Sequence, residues 1–245
     1  MKRFLTSLVI ILVFLAAFSS GSLSAKSAPP DQQVEDPTGI AGNAGWEEIG
    51  AGSASGGGIS NDTTHSEAPS LVVDQNGRPI VAWNNRSVEG TRTIVFRWNG
   101  TVWEQLGVAI IGNDPSLAIV SYVRLFIAYV GMGGVSVSRW TGSTWVKLGE
   151  SFRGRFPSIG VSSNGRPVVA WQFDKTYPGI LDNEIYVRWW NGDNWEELGG
   201  SASGGGVSND SVDSDYPTLA IDNLGNPIVA WHIGNVDRLE VHLRR

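Results

Sequence analysis

Apolar residues in this chain fall in short β-branched runs broken by turn residues, and the same order of runs comes round four times. In the first unit, Ser70-Leu-Val-Val-Asp74 is followed by Gln75-Asn76-Gly77-Arg78, a turn in which Gly77 can take a positive φ. Pro79 to Trp83 is a second run, with proline at its first position, where a strand tolerates it. Thr93 to Trp98 is a third; Asn99-Gly100 then gives a tight hairpin signal, and Trp103-Glu-Gln-Leu-Gly107 is a fourth. No segment holds a helical period of apolar residues, so each unit predicts four short antiparallel strands.

The repeat is written most clearly in tryptophan. Of eleven, all but Trp189 fall at recurring positions. Trp46, Trp103, Trp145 and Trp195 each open Trp-x-x-(Leu/Ile)-Gly; Trp83, Trp171 and Trp231 end the second run, with Tyr129 in that place in the second unit; Trp98, Trp140 and Trp190 precede a turn. The second unit has lost its first turn signature, and the fourth reaches Arg245 within its third run. Self-similarity at roughly 40–50 residues marks a repeat architecture.

Counting strands gives the fold. The fourth unit lacks a last strand, and Trp46-Glu-Glu-Ile-Gly50 is a spare one. If that segment completes the final unit, four antiparallel sheets close into a ring, an all-β β-propeller spanning residues 45–245 with only short protected edges. The large indoles then wedge between neighbouring sheets. The competing arrangement is an arc that completes a larger ring by self-association, so the expected state is a monomer or a self-associating ring.

The first 25 residues are set aside from the fold. Lys2 and Arg3, an apolar run from Phe4 to Phe18, and small polar residues up to Ala25 have the layout of a secretory signal peptide. Lys26 to Ala44, rich in Pro, Gly, Asp and Gln, reads as a flexible linker. The expected location is therefore secreted or cell envelope, with no membrane span once the signal is removed. Without Lys2 and Arg3, 16 basic residues face 24 acidic ones and the charge is near −8, which argues against nucleic acid as a partner. The absence of cysteine excludes disulfides and thiolate metal sites.

The strings P-S-L-x-x-D-x-x-G-x-P-I-V-A-W and W-N-G-x-x-W-x-x-L-G resemble the β-propeller repeats of secreted bacterial proteins in the sialidase-like and kelch-like superfamily. Ser138-Arg-Trp-Thr-Gly-Ser-Thr-Trp145 is similar to the Asp-box hairpin of sialidases, but Trp140 stands in the Asp place. Trp190-Asn-Gly192 with Trp195 resembles the hairpins of six-bladed fucose-binding lectins. The resemblance implies a binding module for a glycan or a surface protein, with a sialidase-like glycoside hydrolase or a purely structural surface module as alternatives. No residue here is assigned a catalytic role: the arginine start and nucleophilic tyrosine of a sialidase are not recognisable.

Candidate ligand chemistry gathers in two near-identical loops. Gly52-Ser-Ala-Ser-Gly-Gly-Gly-Ile-Ser-Asn-Asp62 matches Gly200-Ser-Ala-Ser-Gly-Gly-Gly-Val-Ser-Asn-Asp210. Each leads from an outer strand to the next inner one, on the face that also carries the loops after Trp83, Trp171 and Trp231. The candidate binding residues on that face are Asp62, His65, Arg86, Asp174, Tyr177, Asp210, Asp213 and Asp215. Asp210, Asp213 and Asp215 are also the candidate ligands for Ca²⁺, which takes clustered oxygens, although their spacing is not that of an EF-hand. No other cofactor is expected.

Overall fold

A computed structural model describes residues 46–121, 124–174, 182–235 and 238–245. The expected signal segment, the linker and Tyr177 lie outside these residues. The chain divides between Trp46 and Glu47, and Glu47–Arg245 forms one compact unit. It is all β: four antiparallel sheets follow one another along the chain, and no helix is long and apolar enough to cross a membrane among the described residues.

The first sheet contains β1 (His65–Val73), β2 (Pro79–Ser87), β3 (Gly90–Trp98) and β4 (Trp103–Gln105), with β5 (Ile110–Ile111) also paired to β3. The second contains β6 (Asn113–Ser121), β7 (Arg124–Gly131), β8 (Gly134–Trp140) and β9 (Trp145–Lys147). The third contains β10 (Arg155–Val161), β11 (Pro167–Asp174), β12 (Asn183–Trp190) and β13 (Trp195–Glu197). The fourth contains β14 (Ser214–Ile221), β15 (Pro227–Asn235) and β16 (Arg238–Arg244). These are the blades of a β-propeller, with the first strand of each sheet innermost.

The repeat motifs have identifiable duties. In the first turn, Asp74 Oδ1 accepts the N–H groups of Asn76 and Arg78 at 2.8 and 2.9 Å, and Gly77 adopts φ 72°. Asp222 does the same for Leu224 and Asn226 in the fourth sheet. In the first three blades the residue after the inner-strand proline ties two blades together. Ser70 Oγ accepts the Leu117 N–H, Ser116 Oγ the Ile159 N–H and Ser158 Oγ the Leu219 N–H, at 2.9–3.2 Å. The tryptophan of Trp-x-x-Leu-Gly ties them again further out: Trp145 Nε1 donates to Leu106 O at 2.9 Å and Trp195 Nε1 to Leu148 O at 2.8 Å. Apolar clusters fill the seams, for example Val168, Ala170, Ile185 and Val187 against Val229 and Trp231.

The inner strands are longer than the sequence suggests, because each crosses a bulge at its proline. Register shifts lie between Glu67 and Ser70, Asn113 and Ser116, Arg155 and Ser158, and Asp215 and Thr218. The residue before each proline takes positive φ: Ala68 50°, Asp114 53°, Phe156 50° and Tyr216 50°. Proline has no N–H for the ladder, so the unpaired bulge is where a strand interior accepts it.

The expected ring closure by residues 46–50 is not made among the described residues. Those residues form no strand, and the fourth sheet has three strands. Ile49 instead lies against the first blade, where Trp103 Nε1 donates to its carbonyl at 2.8 Å. That is the bond Leu106 and Leu148 receive from the blades after them, so the segment holds the place of an outer strand preceding blade one. Leu71 and Val73 of β1 are 61% and 54% exposed, and the series of inter-blade contacts stops there.

Candidate functional site

Because the strands alternate in direction, the start of each first strand, the end of each second and the start of each third share one end of a blade. Every candidate residue described lies at that end, in two groups. In blade one, His65 and Arg86 are register partners and both are exposed. Beside them Asp62 accepts the Thr64 N–H at 2.9 Å, its hydroxyl at 2.6 Å and Asn85 Nδ2 at 2.6 Å. The Thr64 hydroxyl, more than any other partner, holds the Asp62 carboxyl below the usual range.

The second group lies at the seam of blades three and four. Asp174 is paired in register with Asn183, and Asp213 Oδ1 accepts the Asn183 N–H at 2.9 Å. Asp215 Oδ1 accepts Asn183 Nδ2 at 3.1 Å. Burial first, and then the Asp213 charge, push the Asp215 carboxyl upward. Asp210 donates its N–H to the Glu184 carboxylate at 3.1 Å. Among the described residues, no three or more His, Asp or Glu side chains are grouped to hold a metal ion. Two carboxylates of the acidic loop, Asp213 and Asp215, thus help to fix the seam through Asn183.

Sequence reasoning missed a groove at the neighbouring seam. Between blades two and three lies an open cleft of about 410 Å³. Phe152, Trp171 and Tyr186 form its floor, with Phe152 stacked on Trp171 at 4.8 Å and Trp171 on Tyr186 at 5.8 Å. Trp171 Nε1 donates to Arg153 O at 3.0 Å and Tyr186 Oη to Gly204 O at 2.9 Å, so both ring ends are anchored. Over this floor stands Arg188 from β12, its guanidinium 4.9 Å from the Phe152 ring centre and its Nη1 3.2 Å from Glu150 Oε1. Its Nε is buried without a hydrogen-bond partner. Past Arg188 a second hollow, of about 560 Å³, continues along Trp195, Glu196 and Glu197.

The groove has a local origin. Phe152 leaves β9 and bridges to Val135 of β8 through two backbone hydrogen bonds, at 2.7 and 2.8 Å, which brings Glu150 and Ser151 alongside blade three. Arg188 occupies the place that Phe96 holds in blade one and Ser138 in blade two, counted back from Trp98, Trp140 and Trp190. Blade four has Arg244 in the same place, so an arginine where blades one and two have a neutral residue was the signal available in the sequence.

No family model matches the chain, and no curated protein matches it in sequence. Among solved structures it is similar to a protein of unknown function from Dyadobacter fermentans, with 14% identity over 75% of this chain and 66% of that one, TM-score 0.48. It is similar to the GH93 α-L-arabinofuranosidase of Fusarium graminearum, with 11% identity over 73% of this chain and 62% of that one, TM-score 0.48. A fucose lectin from Kordia zhangzhouensis matches 54% of this chain and 97% of its own, at 14% identity and TM-score 0.39. The chain thus spans about two thirds or less of the first two.

Proposed function

We propose that the chain is an exported carbohydrate-binding β-propeller that takes an extended sugar chain in the groove between blades two and three. One observation carries the reading: a guanidinium and a carboxylate, Arg188 and Glu150, stand 3.2 Å apart at the rim of an aromatic-floored groove. Such a pair offers both donors and acceptors to neighbouring hydroxyls, over a floor whose rings, Phe152, Trp171 and Tyr186, are buried and hold the pair in place. The volume falls within the few hundred cubic ångströms usual for small-ligand sites. Ser151 and Ser203 add short hydroxyls beside the pair. The shallow, open form suits binding along a chain rather than enclosure of one residue.

A hydrolase reading would need two carboxylates facing across a sugar at about 5–10 Å. Asp213 and Asp215 are one candidate pair, and Asp215 has the raised carboxyl a general acid uses. Both, however, are held by Asn183 and lie at the other seam. Binding is therefore the preferred reading.

The test is a glycan array probed with the purified protein and with Arg188→Ala. Retained affinity in the variant, or no binding to any oligosaccharide, would count against the groove. Release of reducing sugar that Asp215→Asn abolishes would favour the hydrolase.

A further inference from the structure

Blade four presents a face that each other blade buries. Counted from Trp171 and Trp231, which pair with Tyr186 and His242, the run Glu184-Ile-Tyr-Val-Arg188 of β12 corresponds to Glu240-Val-His-Leu-Arg244 of β16. Ile185 and Val187 are 0% and 2% exposed, whereas Val241 and Leu243 are 80% and 64% exposed. The outer edge of β12 is covered by β13 and the loop after it. Val187 N donates to Ser201 O at 2.9 Å, Val207 N to Ile185 O at 2.7 Å and Ile185 N to Ser208 Oγ at 2.8 Å. Glu184 accepts the Ser208 hydroxyl and the Asp210 N–H.

The covering sequence, Trp195 to Asp210, occurs once more in the chain as Trp46 to Asp62, with Ile49 for Leu198, Ile59 for Val207 and Ala51 as the one extra residue. A place for its tryptophan also exists. Where Gly107 abuts Trp140 and Trp145, and Gly149 abuts Trp190 and Trp195, a side chain on Gly199 would meet no atom within 4 Å. Beside Gly199 is a cavity of about 220 Å³ lined by Leu198, Val229 and Arg244, at the position that Trp195 fills one blade earlier. Trp46, the counterpart of Trp195, is fully exposed.

We propose that residues 46–62 of a second copy of this chain complete blade four. In each copy, residues 49–62 are seated on blade one, by Trp103 on Ile49 O and Asn85 on Asp62, while the open edge belongs to blade four. Inner strands pack in series from blade one to blade four, so donor and acceptor lie at opposite ends of that series, and head-to-tail pairing joins them between molecules. Two copies joined at both ends would make eight blades, within the range that propellers close. The register follows from blade three. Leu243 N donates to Ser53 O, Ile59 N to Val241 O and Val241 N to Ser60 Oγ. Glu240 accepts Ser60 Oγ–H and the Asp62 N–H, and the Trp46 indole enters the cavity with Nε1 on Leu198 O. An exposed apolar strand edge is a template for such pairing.

The chain has no cysteine, so cross-linking gives a clean test. Full-length Ser53→Cys and Leu243→Cys proteins are purified separately, mixed and oxidised. The expected result is a mixed disulfide that neither variant forms alone, faster than with Val88→Cys in place of Ser53→Cys. Adding Trp46→Ala, which changes an exposed residue, should leave the strand circular-dichroism spectrum intact and slow the cross-link about 10-fold or more, as removal of an interface anchor does. Three outcomes overturn the proposal: no mixed disulfide, a Val88→Cys rate equal to that of Ser53→Cys, or, in dilute Ser53→Cys/Leu243→Cys double variant, a disulfide closed within one chain.

Discussion

The loops 52–62 and 200–210 are nearly the same sequence in two different settings. Their internal geometry agrees closely. Gly58 N donates to Ser55 O at 3.0 Å and Gly206 N to Ser203 O at 2.9 Å; Asn61 N donates to Gly57 O at 3.0 Å and Asn209 N to Gly205 O at 2.9 Å. Asn61 and Asn209 have φ of 36° and 44°. Even the glutamate that reaches into each loop is shared, with Glu48 accepting from Ala54 N at 3.1 Å and Glu197 from Ala202 N at 3.0 Å. The difference lies in what the loop touches. Ser208 is buried and bonded to β12, whereas Ser60 Oγ bonds only Gly57 O within its own loop, at 3.3 Å. The turn conformation is thus a property of the sequence, and the anchoring is a property of the strand beside it.

Glutamate substitutions break this comparison most sharply. Glu184 is 0% exposed and holds both the Ser208 hydroxyl and the Asp210 amide. Glu184→Ala strands the buried Ser208 hydroxyl and the part-buried Asp210 amide and should cost about 3 kcal/mol. The corresponding Glu240→Ala, on a half-exposed side chain paired with Arg238 and His242, should change the stability of a single chain by about 0.5 kcal/mol or less. Urea midpoints at low protein concentration check both. Equal losses would show that the two carboxylates have the same surroundings.

Glycine substitutions come next. Gly58 and Gly206 share φ of 64° and 63°, so alanine at either meets the left-handed penalty of about 1–2 kcal/mol. At Gly206 the new methyl also collides with the Ile185 carbonyl, while at Gly58 the nearest atom is Ser53 O at 3.8 Å. Gly206→Ala should therefore be worse than Gly58→Ala by a further 1–3 kcal/mol or so, as overpacking costs elsewhere. Equal thermal shifts in the two variants would mean that loop 200–210 is not held on β12.

How much of this could be read in advance follows from the same contrast. Strand order, turn positions and the inter-blade role of the Trp-x-x-Leu-Gly tryptophans are local or periodic properties, and they stood in the repeat. The bulges were not legible: Pro69, Pro115, Pro157 and Pro217 mark them, but the strand continuing on the other side of each carries no turn signal. Ring closure was expected from strand arithmetic, which says that an edge and a segment match but not which copies they belong to. The Arg188 groove depends on the Phe152–Val135 bridge, a contact between elements that no local pattern encodes. Candidates such as Asp213 and Asp215 were chosen for charge density, and the structure spends that charge on Asn183.

The smallest effects are in pH dependence, where one aspartate from each group acts with opposite sign. Asp62 has a folded value below that of an unfolded aspartate, about 3.9, because Thr64 and Asn85 bond its ionised form. Its contribution is present above that ordinary value and is lost as pH falls through the depressed one. Asp215 has a folded value above the ordinary one, from burial and from Asp213. Its ionisation weakens the fold as pH rises through that raised value, and below about 3.9, where both states are protonated, it has no effect. Asp62→Asn should thus lower the melting temperature slightly at pH 7. Asp215→Asn should raise it, since an amide keeps an oxygen for Asn183 Nδ2 without the buried charge. Both shifts should shrink toward zero as the scan is repeated at acid pH. A fall in melting temperature at pH 7 for Asp215→Asn would mean that the carboxylate is engaged by a partner stronger than Asn183, and would return the acidic seam to consideration as a binding site.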